Sequence, residues 1–183
     1  MFASPRIAAA IVATVLLAAC SSNADSEGGS AVQTTGPAGW RVSTMGFGPL
    51  KAGQSVAEAA AAVGGSFAMA AGASPDCSYA EWASAPEGVR VMLVRDTVAR
   101  VDVTSTTVST EQGAKVGDNE GRINSLYATK VLMMPHKYTT GKYMVITQPE
   151  DTLHRIVFET DGQQVTQYRA GREPEVQWVE GCS

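Results

Sequence analysis

The sequence is poor in the residues from which most active sites are built. Its 183 residues include only two histidines, His136 and His154, and three cysteines. It contains no Cys-x-x-Cys, no His-Glu-x-x-His and no Gly-x-Ser-x-Gly, so thiol-redox, zinc-protease and serine-hydrolase chemistry find no motif to stand on. Glycine is plentiful, yet no phosphate loop results. Gly113, Gly117 and Gly121 recur at every fourth position, but Asp118 follows Gly117 where a Walker loop needs its lysine, and a carboxylate there repels an anion. No catalytic residue, metal ligand or cofactor is assigned, and the chain is read as a non-enzyme.

Basic charge is scarce as well. Fourteen lysines and arginines stand against eighteen acidic residues, a net charge of −4. That balance excludes nucleic acid as a natural partner, since such binding needs a basic surface.

Long apolar runs are missing everywhere except near the start. Arg6 precedes an uninterrupted apolar segment from Ile7 to Ala19, which ends in Leu17-Ala18-Ala19-Cys20-Ser21. The run is shorter than the roughly 20 residues of a spanning helix and has the small-residue ending of a secretory signal. With a cysteine directly after Leu-Ala-Ala, the segment resembles a bacterial lipobox. Residues 1–19 are then a signal peptide and Cys20 the lipidated residue. Acyl chains contribute about 0.8 kcal/mol per buried methylene, and two or more anchor stably. The expected partner is a membrane of the cell envelope, plasma or outer, held from its extracytoplasmic side. Residues 20–39, polar and rich in glycine and serine, read as a tether too hydrophilic to fold.

The remainder, 40–183, suits one domain. Outside the cytoplasm two further cysteines most often pair, so Cys77 and Cys182 are expected to form a disulfide.

Within that domain the sequence echoes itself at an offset of 64 residues. LKAGQSVAEAAAAVG from Leu50 aligns with AKVGDNEGRINSLYA from Ala114, matching Lys51 with Lys115, Gly53 with Gly117 and Val63 with Tyr127. Apolar positions stay in phase for about fifty residues, the mark of a duplicated unit. Each unit (about 40–105 and 106–183) starts with a short amphipathic helix. Ser55 and Glu58 cap the first and Gly64-Gly65 end it; Asp118 caps the second, with Ile123, Leu126 and Tyr127 as its stripe. Strands are expected over 66–70, 77–83, 89–95 and 98–105, then over 131–137, 143–148, 155–160 and 163–169, with a terminal strand over 176–182. Asp161-Gly162 and Asp96-Thr97 are the expected hairpin turns. The expected class is α+β: two tandem helix-plus-hairpin units placing a helix layer on an antiparallel sheet.

The repeated apolar–Lys–x–Gly entry, polar cap, short helix and hairpins resemble the tandem units of β-lactamase inhibitory proteins and of SmpA/OmlA-type envelope lipoproteins. The resemblance spans roughly Trp40 to Cys182. It implies a non-catalytic protein whose sheet face grips another protein, as an inhibitor or an assembly factor.

Alternation along the strands supplies a candidate for that face. With Met92, Val94, Ile156 and Phe158 turned to the helices, Tyr79, Leu93, Tyr143, Arg155 and Val157 point away and compose an apolar, aromatic recognition patch. The alternative is a small-ligand or glycan module using Trp82, Trp178 and the tyrosines.

Overall fold

The computed structural model describes residues 39–183. Cys20, the signal segment and the tether up to residue 38 lie outside the described residues. Among those described, no helix is long and apolar enough to cross a membrane.

The chain enters through a three-stranded sheet of two-residue strands: β1 (Val42–Ser43), β2 (Gly46–Phe47) and β3 (Leu50–Lys51). The first helix, α1 (Val56–Val63), starts as its sequence dictates. Ser55 Oγ accepts the amide of Glu58 and the Glu58 carboxylate accepts the amide of Ser55, a reciprocal capping box. Gly64, with φ of 67°, takes the left-handed conformation that stops it. The second helix, α2 (Glu120–Tyr127), is capped by Asn119, whose side chain accepts the Arg122 amide at 2.8 Å, rather than by Asp118. Asp118 instead accepts the Lys115 amide and pairs with Arg122, closing the preceding turn.

Eight strands form one antiparallel sheet. They are β4 (Phe67–Met69), β5 (Ser78–Trp82), β6 (Val89–Val94), β7 (Thr97–Val103), β8 (Val131–Pro135), β9 (Lys142–Gln148), β10 (Asp151–Thr160) and β11 (Val165–Arg172). Their spatial order is β4-β5-β6-β7-β11-β10-β9-β8, so β7 and β11 meet in the middle and β4 and β8 are the edges. This corrects the expected class. The protein is mostly β, with eleven strands in two sheets and two eight-residue helices among the described residues. It is not a pair of helix-plus-hairpin units under a helix layer. The reason lies in strands such as VRVMLV and TVARVDV, which are buried almost throughout. Strands buried on both faces need cover on both faces and neighbours on both edges, so they lie inside a single large sheet.

The main core fills the helix-bearing face, where Val91, Leu93, Val101, Met144, Ile146, Ile156, Phe158 and Tyr168 pack with Ala59, Ile123 and Tyr127. In β6 this inverts the expected facing. Val91 and Leu93 are in that core, while Met92 and Val94 turn to the other face with Ala99, Cys77 and Cys182. The 64-residue alignment slips by one in this strand, and with a side-chain period of two a slip of one exchanges the faces.

The expected terminal strand is absent. Glu175–Gln177 form a 3₁₀ turn, and residues 173–183 run as a strap across the second face. The β6–β7 turn is made by Arg95 and Asp96, both at positive φ, with Thr97 already in β7.

Candidate functional site

The strap decides which side chains are available. Val176, fully buried, enters the second face among Tyr143, Val145 and Val157, and Val179 packs beside it. Cys182 is joined to Cys77, just ahead of β5, with Cα atoms 5.3 Å apart. The expected disulfide is therefore present.

Two buried arginines hold the strap by its main chain. Arg100 donates to the carbonyls of Glu175 (2.8 Å) and Trp178 (2.6 Å) and to the Tyr79 hydroxyl (2.8 Å). Its Nε lies 2.9 Å from Asp102 Oδ1, close enough for charge pairing but angled away from a hydrogen bond. Gly171 stands opposite Arg100 across the β7–β11 pairing, where a Cβ would collide with the Ala99 carbonyl and the Arg100 side chain. Only glycine lets the two strands meet there.

Arg169, the next position on β11 toward its start but one, donates through Nε to the Val176 carbonyl and pairs with Glu159. Gln167 donates to the same carboxylate at 2.7 Å. His136 Nδ1 accepts the amides of Tyr138 and Thr139, which leaves Nε2 as the donor toward Glu159, 3.3 Å away. Burial pushes the Glu159 carboxyl up, but Arg169, Gln167 and His136 together outweigh it and hold the group below its ordinary value. Burial, followed by the Asp102 carboxylate, pushes the Tyr79 hydroxyl above its usual value.

A cavity of about 110 Å³ remains between strap and sheet, lined by Tyr79, Arg90, Arg100, Asp102, Arg169 and Gly181. Its charges answer one another, Arg100 with Asp102 and Arg169 with Glu159, and what they visibly do is fasten the chain terminus.

The expected recognition patch is thereby corrected. Leu93, Tyr143 and Val157 are buried, the first in the main core and the others under the strap; Tyr79 and Arg155 are half-buried. Arg155 spends its guanidinium on the Asp151, His154 and Thr152 carbonyls. The aromatic pair of the glycan reading is also split, since Trp82 is buried among Trp40, Phe47 and Phe67 while Trp178 is 37% exposed. Among the described residues no cluster of three or more His, Cys, Asp or Glu side chains is placed to hold a metal ion.

What the fold does leave open is the margin at β8. This strand pairs with β9 alone, so the main-chain groups along its outer edge have no strand partner among the described residues. Leu132, Met133 and Met134 are 53%, 45% and 37% exposed. Leu132 and Met134 stand opposite Val145 and Tyr143 and share their face; Met133 stands opposite Met144 on the helix face. Tyr138, in the following loop, is 60% exposed. The other edge, β4, is only three residues long. The run VLMMP is plain in the sequence, but its edge position depends on strand order, which no local pattern carries.

No protein-family model and no curated protein matches the chain. Among solved structures it aligns with the crystal structure of the uncharacterized protein yfeY from Escherichia coli, at 15% identity over 72% of this chain and 99% of that one. The TM-score is 0.47, and at that level the likeness carries no argument about this protein.

Proposed function

We propose that the protein is a lipid-anchored lipoprotein of the cell envelope that binds another protein, without catalysis, through the margin of the sheet at β8. One observation carries the choice of surface: three consecutive large apolar residues, Leu132, Met133 and Met134, are exposed on a sheet edge whose outer pairing groups have no strand partner among the described residues. Folded proteins usually blunt such edges, because an open apolar edge recruits another chain. Methionine suits this use, being flexible enough to repack against a partner. The anchor rests on the lipobox-like Leu17-Ala18-Ala19-Cys20 and the polar tether after it.

The anchor is tested by Cys20→Ser, which is expected to release the protein from membranes or leave an unprocessed precursor. A wild-type chain that takes up no labelled palmitate would refute it. The surface is tested by crosslinking and pull-down from membranes with Leu132→Lys and Met134→Lys together. Lysine is tolerated on sheet edges, so the fold should hold while an apolar anchor is lost. With about 2 kcal/mol at stake, capture should fall about thirtyfold with little change in melting temperature. Unchanged recovery of the same partner would show that binding lies elsewhere.

A further inference from the structure

The β8 margin differs from the rest of the molecule in charge. From Gly121 to Pro149 there is no aspartate or glutamate, while Arg122, Lys130, Lys137 and Lys142 all fall within that span. In a chain of net charge −4, this segment alone is strongly basic. Lysines also bracket the exposed run, Lys130 just before β8 and Lys137 two residues after it. Acidic groups from elsewhere answer part of this charge: Lys142 pairs with Glu120 at 2.6 Å, Lys137 with Glu180 at 2.8 Å and Arg122 with Asp118 at 3.2 Å. The Lys137–Glu180 pair is more than half exposed on both sides, and such pairs contribute little and exchange readily. Lys130 has no ion pair among the described residues.

Three occupants compete for this edge. A second copy paired antiparallel about Met133 would set Lys130 against His136 of its twin, with Lys137 next to it, at both ends of the ladder. It would bring two basic segments together, and like charges across a sheet pairing destabilise it. An anionic bilayer would suit the lysines and the apolar side chains but cannot complete the main-chain ladder. An extended acidic polypeptide satisfies all three features.

Resting on the protein-binding reading above, we infer that the partner offers an extended segment with a short apolar run bracketed by carboxylates, and that it adds as a ninth strand along β8. The segment meets Leu132 and Met134 on one face and Met133 on the other, so it accepts apolar side chains at consecutive positions rather than at alternate ones. Lys130 and Lys137 flank the two ends of β8, whose five residues span roughly 17 Å, and the acidic groups fall outside a run of about that length. Main-chain bonding supplies affinity, and the flanking charges choose the sequence.

The probe is a displayed library of random decapeptides, selected against the full chain in detergent. Enriched peptides are expected to carry Asp or Glu on both sides of an apolar run. The variant Lys130→Glu with Lys137→Glu should reverse that choice to Lys and Arg, with at least about a tenfold loss for the original winners. Selection without a charge preference, or one that the reversal leaves unchanged, overturns the inference. So does dimerisation that Met133→Lys abolishes, or co-sedimentation with phosphatidylglycerol vesicles that the charge reversal abolishes. If β8 variants still lose partner capture from membranes while the library shows no acidic preference, only this inference falls. If capture ignores β8, the proposed surface falls with it.

Discussion

Arg169→Leu is expected to destabilise the protein by about 3–5 kcal/mol, the range for breaking a buried ion pair by removing one partner. Arg169 is 4% exposed and Glu159 equally so, and each is the other's counter-charge. Without the guanidinium, Glu159 keeps Gln167 and His136 as hydrogen-bond donors but stands almost fully buried at the cavity wall without its paired positive charge. The Val176 carbonyl also loses the Arg169 Nε–H donor that fastens the strap. Replacing both members, as Glu159→Leu with Arg169→Leu, should recover part of the loss, because the unpaired charge goes. It should not recover all of it, because an unsatisfied buried carbonyl costs about 1–3 kcal/mol. Urea unfolding at neutral pH measures all three states, and a single-variant effect under about 1 kcal/mol would rule out this role for the pair.

The same pair sets a pH dependence. Glu159 titrates in the folded protein below its ordinary value of 4.5. Its contribution is therefore whole above that value and is lost as pH falls below it through the folded value. Wild type should lose stability over this acid range more steeply than Glu159→Gln, which has no carboxyl there to protonate. Parallel pH profiles would assign the acid response to other carboxylates.

Local features of this fold were legible in the sequence and non-local ones were not. The capping box of Ser55 and Glu58, with Gly64 as the stop, needs only neighbouring residues, and it located α1. The eight strands of the large sheet announce themselves as apolar runs between turn residues. What the runs omit is how many neighbours each strand has, and so the same pattern fits two helix-bearing units as well as a single sheet. The small sheet of β1, β2 and β3 is invisible for another reason: two-residue strands around Gly46 and Gly48 show no period at all.

The C-terminal residues mislead most. Val176, Trp178 and Val179 look like the apolar positions of a strand, yet Val176 is an anchor pressed into the sheet face. That single misreading hides the expected patch, since Tyr143 and Val157 are sound outward positions that the strap then covers. Leu93 fails separately, by the one-residue slip in β6. The cysteines gave the one long-range contact that could be read, because the expected compartment and the cysteine count pair them without reference to geometry.

That contact carries the second large effect. Cys77→Ala with Cys182→Ala is expected to destabilise by about 2–5 kcal/mol, as removal of a native disulfide from a secreted domain typically does. The bridge spans 105 residues, and closing a loop of about that length constrains the unfolded chain by roughly 4.7 kcal/mol in the chain-entropy model. Its local consequence is narrower. The disulfide holds the strap's last residues over Tyr79 and the Met92, Val94 and Ala99 cluster, whereas residues 175–178 are held by Arg100 and Arg169. Loss of the bridge alone should therefore loosen residues 179–183 and leave Val176 seated on Tyr143, Val145 and Val157. Adding Arg100→Ala removes the hold on the Glu175 and Trp178 carbonyls, and the strap should lift on either side of its remaining tie, Arg169 on the Val176 carbonyl. Because both ties restrain one segment, their effects should couple by about 0.5 kcal/mol or more rather than add. A dye that fluoresces on exposed apolar surface reads the difference: little signal from the cysteine-free variant, and a clear rise once Arg100 is also replaced. A full rise without the arginine change would mean that the disulfide is the strap's sole fastening and that Arg100 merely fills the space beneath it.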